Sequence, residues 1–457
     1  MLVHRLPRIL ATLGKEDPVD NAAQPNVLII HTDQQSLWTL SCYGCEVIDT
    51  PNIDRIGREG ARLSQFFVNS AVCTPSRGTF LTGRYPHAHG AYRNNLPLDR
   101  DEITFAEVFR RNGYDTGYAG KWHLDGMARP GWVHAERSMG FEYARFMFNR
   151  GHWKKIADTD MDDCEPTIFP YREFGDETTY PTDWLTDKTI SFIRKERDKP
   201  FCFMVSIPDP HTPFQPRGPY DTMLEPLAMV VPESYGDSSA FEGFADAQSR
   251  KPDQDRLRQF KAWYYGAVKL IDDNVGRLFA CLEGEGILDD TIIVFTTDHG
   301  EYMGEHGLMG KNMIYETAHR VPFLVRWPGR IAAGTDVNRV IASVDFQQTL
   351  LGLVGLEPCG REQGRDGSGL LRGESVTWED EAFVHHPSHQ WAGVYTPEHL
   401  YAVHSSGYGM LFDRERDPDQ RENLFGGDGG ELIREMSERV GAHFQGCDGP
   451  AAEWFSA

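Results

Sequence analysis

With 457 residues, 40% of them hydrophobic, 12% aromatic and 25% charged, the chain has the composition of an ordinary globular protein, sized for one large domain and a smaller one. Disorder and a collagen-like fibre are excluded. A formal net charge of −22 speaks against a general affinity for nucleic acid or anionic lipid, and no apolar run approaches the ~18 residues a membrane span needs.

Residues 1–25 carry two early arginines, Arg5 and Arg8, but no clean apolar core or small-residue cleavage site. They read as a poorly ordered tail, and the expected location is cytoplasmic ahead of periplasmic or secreted. Eight cysteines are too dilute for a disulfide scaffold, so a reducing compartment is the default. Cys42-Tyr-Gly-Cys45 has redox or metal spacing without a second pair to complete it, and reads as a loop.

Asn26–His31 is a short apolar, β-branched run, the pattern of a strand buried on both faces in a parallel sheet. It ends on Thr32-Asp33-Gln34. The pattern returns at Phe201–Ile207, ending on Pro208-Asp209-Pro210-His211, and at Thr291–Thr297, ending on Asp298-His299-Gly300. Open α/β sheets bind ligands at the carboxyl ends of their strands, so these polar clusters are expected to converge on one crevice.

Between the strands, Thr104 and Glu107 have capping-box spacing ahead of an amphipathic turn stopped by Gly113, which predicts a helix over 104–112. Apolar residues from Leu257 to Leu282 recur at helical spacing, with Trp263 and Tyr264 assigned to packing. From about 376 the runs shorten (Ala382–His385, Leu400–His404, Met410–Phe412), as in a small antiparallel sheet. The expected organisation is a tail over 1–25, an α/β domain over 26–375 and a C-terminal subdomain with a sheet and a helix over 376–457. The fold class is α/β, a large mixed, mostly parallel sheet sandwiched by helices, with the smaller antiparallel sheet following it.

The strongest local signal is Cys73-Thr-Pro75-Ser76-Arg77, followed by Leu81-Thr-Gly83-Arg84. This places Cys73 at a helix N-terminus, where amide dipoles favour an anion. The residues alone allow a reactive-thiol or oxyanion-binding site, or a buried structural cysteine.

With that core, the sequence resembles the sulfatase family of the alkaline-phosphatase superfamily. Further segments agree in order: the Asp33 strand end, Gly120-Lys121-Trp122-His123-Leu124, Pro210-His211-Thr212-Pro213, Asp298-His299-Gly300-Glu301, Gly310-Lys311 with Tyr315-Glu316, and the closing stretch Leu411 to Leu424. The likeness runs from about residue 26 to 425. It implies that Cys73 is converted by a formylglycine-generating maturation enzyme to formylglycine (3-oxoalanine). The hydrated aldehyde would attack the ester and form a covalent sulfo-enzyme intermediate. Asp33, Gln34, Asp298, His299 and the modified Cys73 would hold one divalent cation, calcium first, with manganese, magnesium or zinc as alternatives. Arg77 and Lys121 would neutralise charge around the nucleophile. His123 would take the proton when sulfate is expelled, while His211 and Lys311 would bind the ester and protonate the leaving alcohol.

Two positions depart from the commoner family pattern. Gln34 stands where many members carry a second acid, and His299 where many carry asparagine. A nitrogen donor tilts the site toward softer ions such as manganese or zinc, and the same pairs resemble the phosphonate monoester hydrolase and choline-sulfatase branches. The substrate is thus expected to be a sulfate monoester of a sugar, aryl or other small alcohol. The alternatives are a phosphonate monoester or phosphodiester handled by the same site, and a non-catalytic carbohydrate-binding relative.

His385, His386 and Trp391 are expected at the substrate mouth, with His389 beside them, and His87, His89, His306 and His319 are read as structural. Trp132–Trp153, rich in aromatics and arginines, is either a specificity loop or a packed insertion, and Tyr395 carries the same two readings. The oligomeric state is not legible.

Overall fold

The structure is a computed structural model, and it describes residues 24–126, 131–159, 165–237, 251–427 and 430–445. The expected tail therefore lies, through residue 23, outside the described residues.

Eight strands form the main sheet: β1 (Asn26–Asp33), β2 (Ala61–Leu63), β3 (Asp115–Lys121), β4 (Tyr143–Phe148), β5 (Phe201–Pro210), β6 (Thr291–Thr297), β7 (Phe323–Arg326) and β8 (Thr335–Val337). Their order across the sheet is β8-β2-β7-β6-β1-β5-β3-β4. The five strands from β6 to β4 run parallel, with Val27 level with Ile292 on one side and Cys202 on the other, whereas β7 runs antiparallel to β6. The sheet is mixed and mostly parallel, as the apolar runs require.

Alternation along β1 shows why such a strand must be apolar throughout. Val27 and Ile29 join a core with Phe80, Phe105 and Phe346, while Leu28 and Ile30 join another with Ile53, Trp184 and Ile271. The first layer comes from α2 (Cys73–Thr82), α3 (Phe105–Arg111) and α6 (Phe346–Val354), and the second from α1 (Pro51–Arg58), α4 (Pro181–Ile193) and α5 (Gln254–Gly284). Each of these four side chains is at most 1% exposed, and full burial of one aliphatic side chain contributes about 1.5–3 kcal/mol. Helix α3 starts where Thr104 Oγ1 accepts the Glu107 amide at 3.3 Å; the Glu107 carboxylate pairs with Arg110 and Arg111 instead of closing a capping box.

The C-terminal sheet has four antiparallel strands, β9 (Ala382–His385), β10 (Trp391–Tyr395), β11 (His399–His404) and β12 (Gly409–Asp413). One face, with Val384, Tyr395, Ala402 and Phe412, merges with the main core. The other, with Phe383, Val394 and Leu411, packs on Met436, Val440 and Phe444 of α7 (Gly430–Gln445). β10 is absent from the sequence-based prediction because Gly393 interrupts its pattern. Here a Cβ would meet the Tyr401 carbonyl oxygen at 2.4 Å, so the cross-strand approach requires glycine.

Candidate active site

Four strands deliver polar groups to one place. Asp33 ends β1, Lys121 ends β3, Asp298 and His299 follow β6, and His211 follows β5. Cys73 is the first residue of α2, and the Asn94 side chain accepts the Thr74 amide at 3.1 Å, satisfying a donor at the helix start. Lys121 is aimed by the preceding Gly120, whose φ of +112° would put a Cβ 1.9 Å from the Ser206 carbonyl oxygen.

The Cys73 sulfur lies 3.1 Å from His299 Nε2, 3.7 Å from Lys121 Nζ and 3.9 Å from Asp33 Oδ1. Lys121 is also in direct contact with Asp33 Oδ2. Arg77, 2% exposed, donates Nε to Asp298 Oδ2 at 2.9 Å and Nη1 to the Lys121 carbonyl (2.8 Å) and Ser206 Oγ (2.7 Å). The Gln34 backbone N–H donates to Asp298 Oδ1 at 3.0 Å. Every group in this layer is fixed by another, as preorganised charge stabilisation requires.

Burial disfavours ionisation of Asp33, yet Lys121, His211 and Arg77 outweigh it and hold the carboxyl well below the usual range. Asp298 is pushed up by burial and then by Asp33. Burial also works against a thiolate at Cys73, but Lys121, Lys311 and His299 prevail and hold the thiol well below its ordinary value. Asp33, Cys73, Asp298 and His299 each offer one donor atom, all within 4.8 Å of one another. His299 Nδ1 donates to the Gly300 carbonyl oxygen 3.0 Å away, because a carbonyl only accepts, and this turns Nε2 toward the cluster. Two crowded buried carboxylates and an imidazole nitrogen are a donor set that fits a divalent cation.

A family model described as Sulfatase matches residues 25–356. The chain belongs to the sulfatase family. It is a sulfuric ester hydrolase by that membership. A second model, N-sulphoglucosamine sulphohydrolase C-terminal, matches residues 304–444 of this sulfatase. The chain is 31% identical over 423 residues to an ulvan-active sulfatase of Formosa agariphila, covering 89% of this chain and 78% of that one. Among solved structures, a protein in complex with its substrate D-glucosamine-2-N,6-O-disulfate superposes with a TM-score of 0.77 at 24% identity, covering 95% of this chain and 98% of that one. The phosphonate monoester hydrolase of Agrobacterium radiobacter gives 0.75 at 24%, covering 91% and 94%. The mixed sheet with helices and the small antiparallel sheet is thus the sulfatase architecture.

Around the cluster, Lys311 Nζ lies 3.1 Å from His211 Nε2. The sequence assigns the Gln34 carbonyl to the cation. In the structure that oxygen accepts from Lys311, and the amide nitrogen donates to Glu301. Gln34 therefore bridges Lys311 to the loop after β6, beside the donor set. His123, 8% exposed, turns its ring toward the Cys73 side chain. It is near enough to Cys73 to influence it, and burial lowers its own basicity.

The expected mouth divides. His386 Nε2 faces the Asn312 carbonyl oxygen at 2.5 Å, next to Lys311, and His389 packs on Tyr92. His385 and Trp391 are buried among other side chains. His385, 6% exposed, is held between His87 (Nδ1 to Nδ1, 3.2 Å) and His443 (Nε2 to Nε2, 3.1 Å), and Trp391, 4% exposed, packs on His404 and Tyr408. Tyr395 is fully buried and stacks on Phe67. In the Trp132–Trp153 segment, Trp132 is packed on Phe148 and Trp184, but its far end brings in a residue that sequence reasoning missed. His152 stacks on His211 and lies 3.5 Å from Lys121 Nζ. Its sole signal was its place in an aromatic, basic segment. Glu301 and Ser206, quoted only as motif or strand residues, prove to hold Gln34 and Arg77.

Among the described residues no helix is long and apolar enough to cross a membrane.

Proposed function

We propose that this chain is a metal-dependent sulfatase that hydrolyses sulfate monoesters of saccharides, with Cys73 matured to formylglycine. The observation that carries the reading is the position of Cys73, first in a buried helix, against His299, Asp33 and Lys121. The thiol sulfur stands where a hydroxyl oxygen of the hydrated aldehyde would be. Asp33, Asp298 and His299 would hold the cation, whose contribution is Lewis-acid polarisation of the ester oxygens. Asp33 and Asp298 face Lys121 and Arg77, and Lys311 stands at the far side of Cys73, so cationic groups surround the position of the sulfate ester.

A formylglycine hydroxyl, its proton passing to the Asp298 carboxylate, attacks sulfur while the S–O bond to the alcohol breaks. Lys311, hydrogen-bonded to His211, supplies the proton for the departing oxygen. His123 takes the proton when the second hydroxyl collapses to the aldehyde and releases sulfate. A saccharide substrate is supported by the ulvan-active relative and by the neighbour solved with a glucosamine disulfate. The described cysteines are all unpaired, which supports a reducing, cytoplasmic setting in which a maturation enzyme acts on Cys73.

The test is peptide mass spectrometry over Cys73 with and without a co-produced formylglycine-generating enzyme, alongside kcat/KM for an aryl sulfate. Activity should rise with aldehyde content; full activity in Cys73→Ala would overturn the proposal and revive a role for the fold without this nucleophile. The nitrogen donor at His299 and the phosphonate-hydrolase neighbour favour a second reading, hydrolysis of phosphonate monoesters or phosphodiesters. A preference of about a hundredfold for aryl sulfate over aryl phosphonate, about 2.7 kcal/mol in the barrier, decides for the first.

A further inference from the structure

The segment that leaves β4 and the end of β5 are joined at two levels. At one level the rings of His152 and His211 stack. At the other, Lys154 Nζ donates to Asp209 Oδ1 at 2.8 Å. Lys154 stands two residues after His152, and Asp209 two residues before His211. The ion pair and the ring stack are therefore rungs between the same two stretches of chain.

The ion pair is the rigid rung. Lys154 is 1% exposed and Asp209 3%, and each has a second partner: Lys154 donates to the Tyr180 hydroxyl at 3.1 Å, and Asp209 Oδ2 accepts from Thr182 Oγ1 at 2.7 Å. Tyr180 and Thr182 are buried at the start of α4, where the helix dipole favours a carboxylate. The Lys154 carbonyl accepts the Gly175 amide at 2.7 Å, which ties the segment down on the far side of the pair. The histidine rung is only half-buried. Beyond the stack, His211 meets the Thr212 carbonyl and Lys311, and His152 Nε2 faces Lys121 Nζ at 3.5 Å. A buried ion pair is weak evidence for stability, because desolvation offsets much of its attraction, and its best-attested use is to fix register. What this pair brings into register is one histidine ring upon the other.

We propose that Lys154 and Asp209 are positioning residues, whose buried pair holds His152 flat against His211 and thereby keeps His211 Nε2 on Lys311. The role rests on the sulfatase reading, in which Lys311 serves the departing alcohol, but the ring geometry is measured without any substrate. Lys154→Met keeps most of the stem and removes the charge. The double variant Lys154→Met/Asp209→Leu leaves neither partner stranded, so it separates loss of the rung from loss of the fold.

In crystals of either variant the two rings should no longer be stacked. With protein matured at Cys73, both variants should lower kcat for an alkyl sulfate by about tenfold or more, since a small displacement of a positioned group is costly. The loss for 4-nitrophenyl sulfate, whose leaving group needs little help, should be about threefold or less. In a His152→Ala background the Lys154→Met step should cost nothing further on the alkyl ester, because both changes break the same link. An intact stack in the double variant, equal losses on the two esters, or losses that add to those of His152→Ala overturn the proposal. A wild type inactive on both sulfates overturns the sulfatase reading instead, and the ring geometry in the variants then decides the positioning role.

Discussion

The rings of His152 and His211 lie face to face, their centroids 3.8 Å apart and their planes within 7° of parallel. Burial and the neighbouring Lys311 push His211 down to about 4, so its ring is neutral at pH 7. Its Nδ1–H donates to the Thr212 carbonyl at 2.7 Å, and Nε2 accepts from Lys311. On the proposed mechanism, Lys311 is therefore the member of this pair that would supply the proton to the leaving alcohol. Lys311→Ala and His211→Ala should each lower kcat for an alkyl sulfate by about 10²–10⁴. The loss should be much smaller for 4-nitrophenyl sulfate, whose leaving group needs little help. Equal losses on the two substrates would exclude a proton-donating role.

Removing one carboxylate of the donor set should remove the cation. Asp298→Ala should lose its divalent metal by elemental analysis of the purified protein, and with it at least about 10³ of kcat/KM. His299→Asn replaces nitrogen by oxygen and should move metal preference toward calcium and away from manganese or zinc, read as kcat/KM after reconstitution of the chelated protein with each ion.

Arg77 neutralises buried Asp298 through Nε and reaches toward Asp33 at 3.7 Å. Deleting one partner of a buried pair strands the other, at a cost of about 3–5 kcal/mol. Arg77→Ala should lower the urea midpoint by a corresponding amount, besides losing activity. A midpoint within error of wild type would mean that Asp298 does not depend on this guanidinium.

Acid sensitivity should come from buried histidines outside the donor set. Burial pushes His89 down to about 3 and His319 to about 4, from an ordinary value of 6.5. Between pH 6.5 and about 4 the unfolded chain takes up protons that the folded chain refuses, so stability is complete above this window and falls as pH drops through it. Each ring adds a slope approaching about 1.4 kcal/mol per pH unit. Denaturant titrations at pH 7, 6 and 5 should show the decline. His319→Gln keeps a donor for the Val68 carbonyl, which His319 Nδ1 meets at 2.9 Å, and should flatten the slope by about one histidine's share.

Gly120→Ala should be among the most damaging small substitutions. It forces a side chain into a φ of +112° and against the Ser206 carbonyl oxygen. The expected result is a loss of several kcal/mol on thermal unfolding. Any folded fraction should have sharply reduced kcat, because Lys121 is the next residue.

Local pattern was enough for the central strands. The apolar runs at 26–31, 201–207 and 291–297 place Asp33, His211 and Asp298 at strand ends, since a strand buried on both faces is uniformly apolar and stops where polar residues begin. Thr291–Thr297 matches the observed strand at both ends. The long helix was legible for the same reason, its stripe being sustained over many turns. β10 was not, because its glycine is explained by a neighbouring strand and not by its own segment.

What the sequence by itself determined about this protein was which residue types end which strands, and, through Cys73-Thr-Pro75-Ser76-Arg77 and the ordered motifs after it, the family and the core of the site. What only the tertiary structure decided was which of those side chains are already committed to another partner. Gln34 is taken by Lys311 and Glu301, His385 by two other histidines, and His152 is brought onto His211 from a segment whose sequence marks it only as aromatic and basic. The physical reason is range. Strand and helix patterns report burial within a few residues, whereas a side chain's last hydrogen bond or ring contact is set by groups tens to hundreds of positions away, brought close only when the sheet closes.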